Sequence, residues 1–527
     1  MWVRGRHCCA LVLLVAVVLA SAAPADAHAT LVETNPADDQ VLRDPPDEVI
    51  LRFDERVEVT PGAVEVLDRD GGRIDRGDVE DRDGGREIVV PIDDGGQGTY
   101  TVGWRVLSED GHELAGSFVF HVGTRTGAVD VGDSENRAVD VADGVARWIA
   151  LSGLFVLVGT VAIALMAARD RAVVDRLHRL ALLGAVAGLL GTAAGIVTQA
   201  AAASGRSVFE ALDLVTDVTL DTRTGRLAVL RVAGFAAVVL ALVVARRLTR
   251  QVAVLVGALA VAVAVVTSIA GHAWTVDARM IAVVADTTHL LTAGVWIGGV
   301  VVLLVTLSEA DDRSAMVRRF SQIALVTLAV VAATGSVHAF LQADSFDALF
   351  GTTYGLLVLL KVAGLVGLGA LGWVNRYRLL PKLEEGIERL RQSLLAEIGV
   401  AAVVLGLTVA LIGMAPARDV YSRSFDGTEQ VGALTVQMVV DPARRGTNTV
   451  HLYFYEDDRT TPAVVDAVEL QASTGDLPPR RLEVEPITPS HASAYGASLP
   501  AGGTWTVEVT AVQAGRPTVV PFEVPIK

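Results

Sequence analysis

Residues 281–306 read IAVVADTTHLLTAGVWIGGVVVLLVT. About 20 such residues in a helix cross the hydrocarbon of a bilayer, and this run breaks its apolar character with one carboxylate, Asp286, and one imidazole, His289. Ionisable groups are costly at that depth and mark function by default. Their i, i+3 spacing puts both on one helix face.

Seven further stretches have the same character: 146–168, 180–203, 226–245, 252–271, 320–341, 353–374 and 393–415. Composition agrees. Hydrophobic residues make up 52%, mean hydropathy is +0.47 and charged residues are only 20%, against about 25% in ordinary soluble domains. Aromatics are 5%, so the excess is Ala, Val, Leu and Gly, the residues of packed membrane helices. One soluble domain of 527 residues is excluded, because single cores stop growing near ~250–300 residues. An eight-helix bundle over 144–415 is predicted. If the chain enters from outside, the inner loops hold 15 Arg and Lys and the outer ones hold Arg147, Arg206, Arg223, Arg226 and Arg279. That asymmetry places both ends outside a cytoplasmic membrane.

The two ends read as β. Residues 1–27 have a signal peptide's parts: Arg4 and Arg6, an apolar Leu11–Ala20, and Ala25-Asp26-Ala27 as a small-x-small cleavage site. Both cysteines, Cys8 and Cys9, lie inside it, so a cleaved chain would hold metal only through His, Met, carboxylate or amine groups. Residues 28–123 alternate apolar and polar in short runs between Gly, Asp and Pro turns. This predicts a β-sandwich or barrel of the cupredoxin or immunoglobulin kind. That segment holds 23 acidic and 9 basic residues, a charge that favours solubility or attracts cations. Residues 124–143 read as a linker, and 417–527 as a second, small β-sandwich. Its His451, His491 and Met438 show no ligand spacing, and no chemistry is expected there. With a net charge of −16 and no long basic run, nucleic acid is excluded as a partner.

Two constellations carry chemistry. Cleavage after Ala27 frees an α-amine on His28, and amine plus imidazole can close one chelate ring. With a carboxylate, such nitrogens suit Cu(II). The second half of this site is Ser108-Glu109-Asp110-Gly111-His112, a turn whose Asp110 and His112 flank a glycine and can aim one way. A D-G-H turn also serves backbone ends alone. Inside the membrane, His272 ends the fourth span, Asp286 and His289 lie on the fifth, His338 near the outer end of the sixth, and Lys361 two turns into the seventh. Three imidazoles from three helices can share one ion. The plainer reading is separate interfacial histidines. A charged Lys361 would repel a cation unless it reaches the interface or pairs with Asp286. Arg231 and Glu397 are also within spans and have no evident partner.

The run His28-Ala29-x-Leu31, Asn35-Pro36-Ala37-Asp38, Leu51-Arg52-Phe53-Asp54-Glu55-Arg56-Val57 and Tyr100-x-Val102-x-Trp104-Arg105-Val106-x-Ser108-x-Asp110-Gly111-His112-x-x-x-Gly116-x-Phe118-x-Phe120 resembles the periplasmic copper-binding CopC family. The resemblance implies His28, Asp110 and His112 as Cu(II) ligands, with Glu55 a nearby carboxylate. The Met-rich Cu(I) site of some members is not implied, since residues 28–123 contain no Met. His121 falls outside the pattern and reads as a strand residue. His289-Leu290-Leu291-x-x-x-Val295-Trp296-Ile297-Gly298-Gly299, Thr353-Tyr354-Gly355-x-Leu357-x-x-x-Lys361 and Asn375-Arg376-x-Arg378-Leu379-x-Pro381 resemble the membrane copper-resistance family CopD, and Phe320-Ser321 and Thr334-Gly335 fit the same pattern. This makes Lys361 a structural or gating residue of a family pattern. The C-terminal segment is loosely similar to small YtkA-type domains.

The resemblances imply Cu(II) capture outside and delivery of copper, as Cu(I) or Cu(II), to or across the membrane in support of import. Implied partners are copper ions, the bilayer, and an extracytoplasmic copper protein or reductase. An enzyme is not expected: no Walker A, D-K-T-G, G-x-S-x-G or H-E-x-x-H motif occurs. Two rivals stand: a non-transporting copper buffer or metallochaperone for exported enzymes, and a haem-binding electron-transfer protein using paired helical histidines.

Overall fold

The computed structural model of the chain describes residues 31–526 except 37–39, 54–55, 61, 78, 110, 112, 130–136, 168–170, 277, 308–312, 344, 415, 418–423, 445, 458, 460 and 476. Among the described residues, nine strands form the N-terminal unit: β1 (Leu31–Asn35), β2 (Val41–Leu42), β3 (Glu48–Phe53), β4 (Val57–Glu58), β5 (Val64–Leu67), β6 (Glu80–Arg82), β7 (Glu87–Pro91), β8 (Gly98–Ser108) and β9 (Glu113–Val122). One sheet runs β1-β3-β7-β6. The other runs β2-β9-β8-β4, with β5 also on β8. Period-two alternation turns Leu51, Ile88, Val102 and Phe120 into the space between the sheets.

Among the described residues, eight helices are long and apolar enough to cross a membrane. They are α1 (Arg137–Ala167), α2 (Arg171–Ser204), α3 (Arg223–Ala245), α4 (Arg250–Ile269), α5 (Arg279–Thr306), α6 (Arg313–Ala343), α7 (Thr353–Val374) and α8 (Leu383–Ile412). Each apolar stretch read from sequence lies within one of them to within a few residues at its ends. Several helices begin earlier than hydropathy marks, because polar first turns continue the helix beyond the apolar run; α1 starts at Arg137, inside the stretch read as linker. Threonine caps set three starts. Thr222, Thr249 and Thr352 accept from the backbone N–H groups of Gly225, Val252 and Gly355. A π-helical turn at Gly294–Gly298 interrupts α5 within the V-W-I-G-G run, and a second follows α7 at Asn375–Leu379. Such turns re-aim side chains and recur at functional sites. The bundle core gathers Leu157, Phe235, Val256, Trp296, Phe320 and Leu390.

Among the described residues, the C-terminal unit has nine strands: β10 (Phe425–Val431), β11 (Leu434–Asp441), β12 (Gly446–Tyr455), β13 (Ala467–Thr474), β14 (Leu477–Leu482), β15 (Glu485–Thr488), β16 (His491–Leu499), β17 (Gly503–Gln513) and β18 (Arg516–Ile526). Sheets β10-β11-β12-β16-β15 and β14-β13-β17-β18 enclose Met438, Phe454, Trp505 and Phe522. Met438 is therefore a core residue. Strand β1 packs against β16, so the two β units touch.

Candidate metal centre

His28, Asp110, His112 and Glu55 lie outside the described residues. The described parts of the Ser108–His112 turn show where it is anchored. β8 and β9 pair up to Leu107 and Glu113, and Gly111 N–H closes the turn on the Ser108 carbonyl at 2.9 Å. Gly111 has φ +85°, and a Cβ there would lie 2.7 Å from Cγ2 of Thr224 in the first turn of α3. Glycine thus serves both the left-handed backbone and the close approach.

Arg223, at the start of α3, ties this turn to the bundle. Its Nη1 donates to the Glu109 carbonyl at 2.9 Å, its Nη2 to the Ile269 carbonyl at the end of α4 at 2.9 Å, and its backbone N–H to Glu58 Oε1 at 2.7 Å. Its guanidinium lies 5.0 Å from the Trp274 ring centroid, a cation–π distance. Burial pushes the Glu58 carboxyl above its ordinary value, opposed by the Arg223 N–H and by the charges of Arg226 and Arg223. Leu107 adds apolar contact, packing with Ala200, Ala203, Ala211 and Val218 at the end of α2 and beyond.

Beneath this seat, Asp286 and His289 on α5 meet His338 on α6. His338 Nε2 and Asp286 Oδ1 are 3.4 Å apart, both partly exposed. The rings of His289 and His338 lie 6.1 Å apart at 71°. His289 Nδ1 is 2.9 Å from Thr334 Oγ1, and that hydroxyl donates to the Val330 carbonyl at 2.7 Å. Toward His289 the oxygen therefore accepts. That arrangement favours the Nδ1–H tautomer, with the Nε2 lone pair available. Lys361 on α7 is within electrostatic reach of Asp286, His289 and His338. His272 stands in the turn after α4, beside Ala273 and Trp274, and its carbonyl accepts from Thr275. The structure thus gathers Asp286, His289, His338 and Lys361. Among the described residues, no three His, Cys, Asp or Glu side chains converge into a ready ligand set.

Sequence reading missed several partners. Thr334 belongs to the CopD-like pattern as Thr334-Gly335, but its contact with His289 is not given by that pattern. Glu397 accepts from Asn375 Nδ2, across from the π turn after α7, and Arg231 lies in the field of Asp143 and Arg147. His121 is a buried strand residue, as its sequence suggests, 2.9 Å from Thr99 Oγ1. In the C-terminal unit His451 and His491 are neighbours, contrary to the expectation that they are scattered: their strands pair, which spacing along the chain does not reveal.

These features define a membrane protein with a β domain seated on an eight-helix bundle and a second β domain following it. Comparison names the parts. Residues 31–123 match the CopC domain, 138–280 the copper resistance protein D-like N-terminal domain, and 314–411 copper resistance protein D. The chain carries a CopC domain followed by CopD-like domains. It is 26% identical over 451 residues to the copper transport protein CutJ of Bacillus subtilis (strain 168), covering 81% of each chain. It is 28% identical over 150 residues to copper resistance protein D of Pseudomonas syringae pv. tomato, covering 25% of this chain and 48% of that one. A solved CopC from Methylosinus trichosporium OB3b is 30% identical, with 20% of this chain and all of that chain covered (100%), at a TM-score of 0.16.

Proposed function

We propose that this protein captures Cu(II) outside the cytoplasmic membrane and hands copper to its own membrane helices for import. In this reading signal cleavage after Ala27 exposes His28, whose amine and imidazole join Asp110 and His112, with Glu55 close by. The negative charge of residues 28–123 concentrates cations around that site. His272, Asp286, His289 and His338 begin the membrane route, and Lys361 sets its charge. The observation that supports the hand-over is Arg223. One side chain binds the carbonyl of Glu109, within the ligand turn, and the carbonyl of Ile269, beside the His272 segment. Capture and entry are thereby held together. The positive-inside asymmetry supports placing both β units outside.

Cellular copper content, measured with and without the protein under copper limitation and excess, tests the reading. Import predicts a lower content without the protein under limitation. Equal contents, together with no copper uptake into proteoliposomes, would instead favour a buffer or metallochaperone, and a Soret band in the purified protein would favour electron transfer.

A further inference from the structure

We propose that His451 and His491 form a second metal site, on the outer face of the C-terminal five-stranded sheet, that takes a late first-row transition-metal ion, copper foremost. The two residues come from paired strands. In the β12–β16 ladder His451 stands opposite Ser493, and Tyr453 opposite His491. Residues 450, 452 and 454 point into the core, so 451 and 453 share the other face.

His491 Nε2 and His451 Nδ1 face one another at 3.4 Å. Two metal–nitrogen bonds of ~2.0 Å at a tetrahedral angle span about 3.3 Å. Ser493 Oγ is the third corner, 2.9 Å from His451 Nδ1 and 3.3 Å from His491 Nε2. Two imidazole nitrogens and a hydroxyl thus lie within 3.4 Å of one another, close enough to share one ion.

The rings are held in place. Tyr453 stacks on His491 with centroids 4.4 Å apart and planes at 11°, and Tyr495 meets His451 edge-on at 6.4 Å. Such outer contacts orient imidazole ligands. Glu485 on β15 stands opposite Ser493 on the same face, without joining the two histidines in a three-ligand set. Among divalent ions an imidazole site ranks copper highest. Strand β16 packs against β1, the first strand of the CopC domain, so the strand that carries His491 and Ser493 borders that domain. The choice of copper rests on the function proposed above; the pair of imidazoles does not.

The test uses the full-length protein in nanodiscs, equilibrated with Cu(II) against a competing chelator and assayed by atomic absorption. His451→Asn, His491→Gln and the double variant are compared with wild type, each also in a His112→Ala background. We expect the double variant to lose one equivalent in both backgrounds, with affinity at that site at least tenfold weaker in either single variant. Nitrogen hyperfine splitting in the copper spectrum of the His112→Ala protein should fall with the same substitutions. Unchanged stoichiometry and spectrum in a double variant that keeps its far-UV circular dichroism would overturn the inference. Loss of copper through His112→Ala alone, with no effect at 451 and 491, removes this site and leaves the capture reading standing. No copper bound by wild type removes both. Zn(II) in place of Cu(II) reads the pair without any assumption about cargo.

Discussion

The backbone carbonyl of Glu109, in the turn between β8 and β9, accepts a 2.9 Å hydrogen bond from Nη1 of Arg223, where α3 begins. A hydrogen bond from a charged donor contributes about 1.5–3 kcal/mol, and this side chain makes two to backbone oxygens. Its loss should free the turn from the bundle without touching the proposed ligands. In Arg223→Met we expect Cu(II) affinity of the outer domain to stay within about threefold, under 1 kcal/mol, while cellular copper accumulation falls about tenfold or more. Parallel measurement of bound copper and of cell content checks this. Equal loss in both would place Arg223 in the capture site itself.

Gly111 supports the same seat by a different means. A side chain at φ +85° costs about 1–2 kcal/mol on backbone grounds, and here it also meets Thr224. Gly111→Ala should therefore raise amide exchange in the β8–β9 hairpin tip and in the first turn of α3 together. Thr224→Ala should restore part of the α3 protection in the double variant, because it removes the collision and leaves the backbone strain. No rescue would mean that the two elements do not share the contact.

The membrane helices were plain in the sequence because hydropathy integrates over about 20 residues, and β3, β5, β7, β8 and β9 because Val, Ile, Leu and aromatic residues alternate there; β1, β2, β4 and β6 carried no such pattern. β16 was not plain either. Its sequence, HASAYGASL, has few β-branched or aromatic residues and a positive-φ glycine, Gly496. Its place in the sheet comes from pairing with β12 and β15, which is tertiary information. Missing that strand hid the His451–His491 pair. In the membrane, the i, i+3 spacing showed Asp286 and His289 on one face. That His338 would face them, and that Thr334 would select the tautomer of His289, depends on how α5 and α6 pack. The Asn375–Glu397 pair was hidden for the same reason, since its partners lie on different helices.

His289 tests the membrane route. His289→Ala removes the imidazole that Thr334 orients from its Nδ1 side, and should abolish copper accumulation in cells while outer-domain binding persists. Thr334→Val keeps the shape but removes the acceptor that holds Nδ1–H, so uptake should fall less, about threefold to tenfold, an effect near 1 kcal/mol. Asp286→Asn tests the partner of His338, with a fall in uptake expected there too. Copper content of cells expressing each variant at matched levels checks the series. Normal accumulation in His289→Ala takes this residue out of the route.

The C-terminal pair makes its own prediction when metal is absent. Burial, then the charge of His451, holds the His491 imidazole below its ordinary pKa in the folded protein, whereas the unfolded chain binds a proton near ~6.5. Between the two values the unfolded state carries more protons, so stability rises with pH there. The contribution is complete above the unfolded value and is lost as pH falls through the folded one. Amides of β12 and β16, corrected for intrinsic exchange and measured in a chelator, should lose protection as pH drops from 7.5 toward 5. His491→Gln should flatten that dependence, and His451→Asn should reduce it while leaving the part due to burial. A slope unchanged by His491→Gln would assign the acid sensitivity of this sheet to other groups.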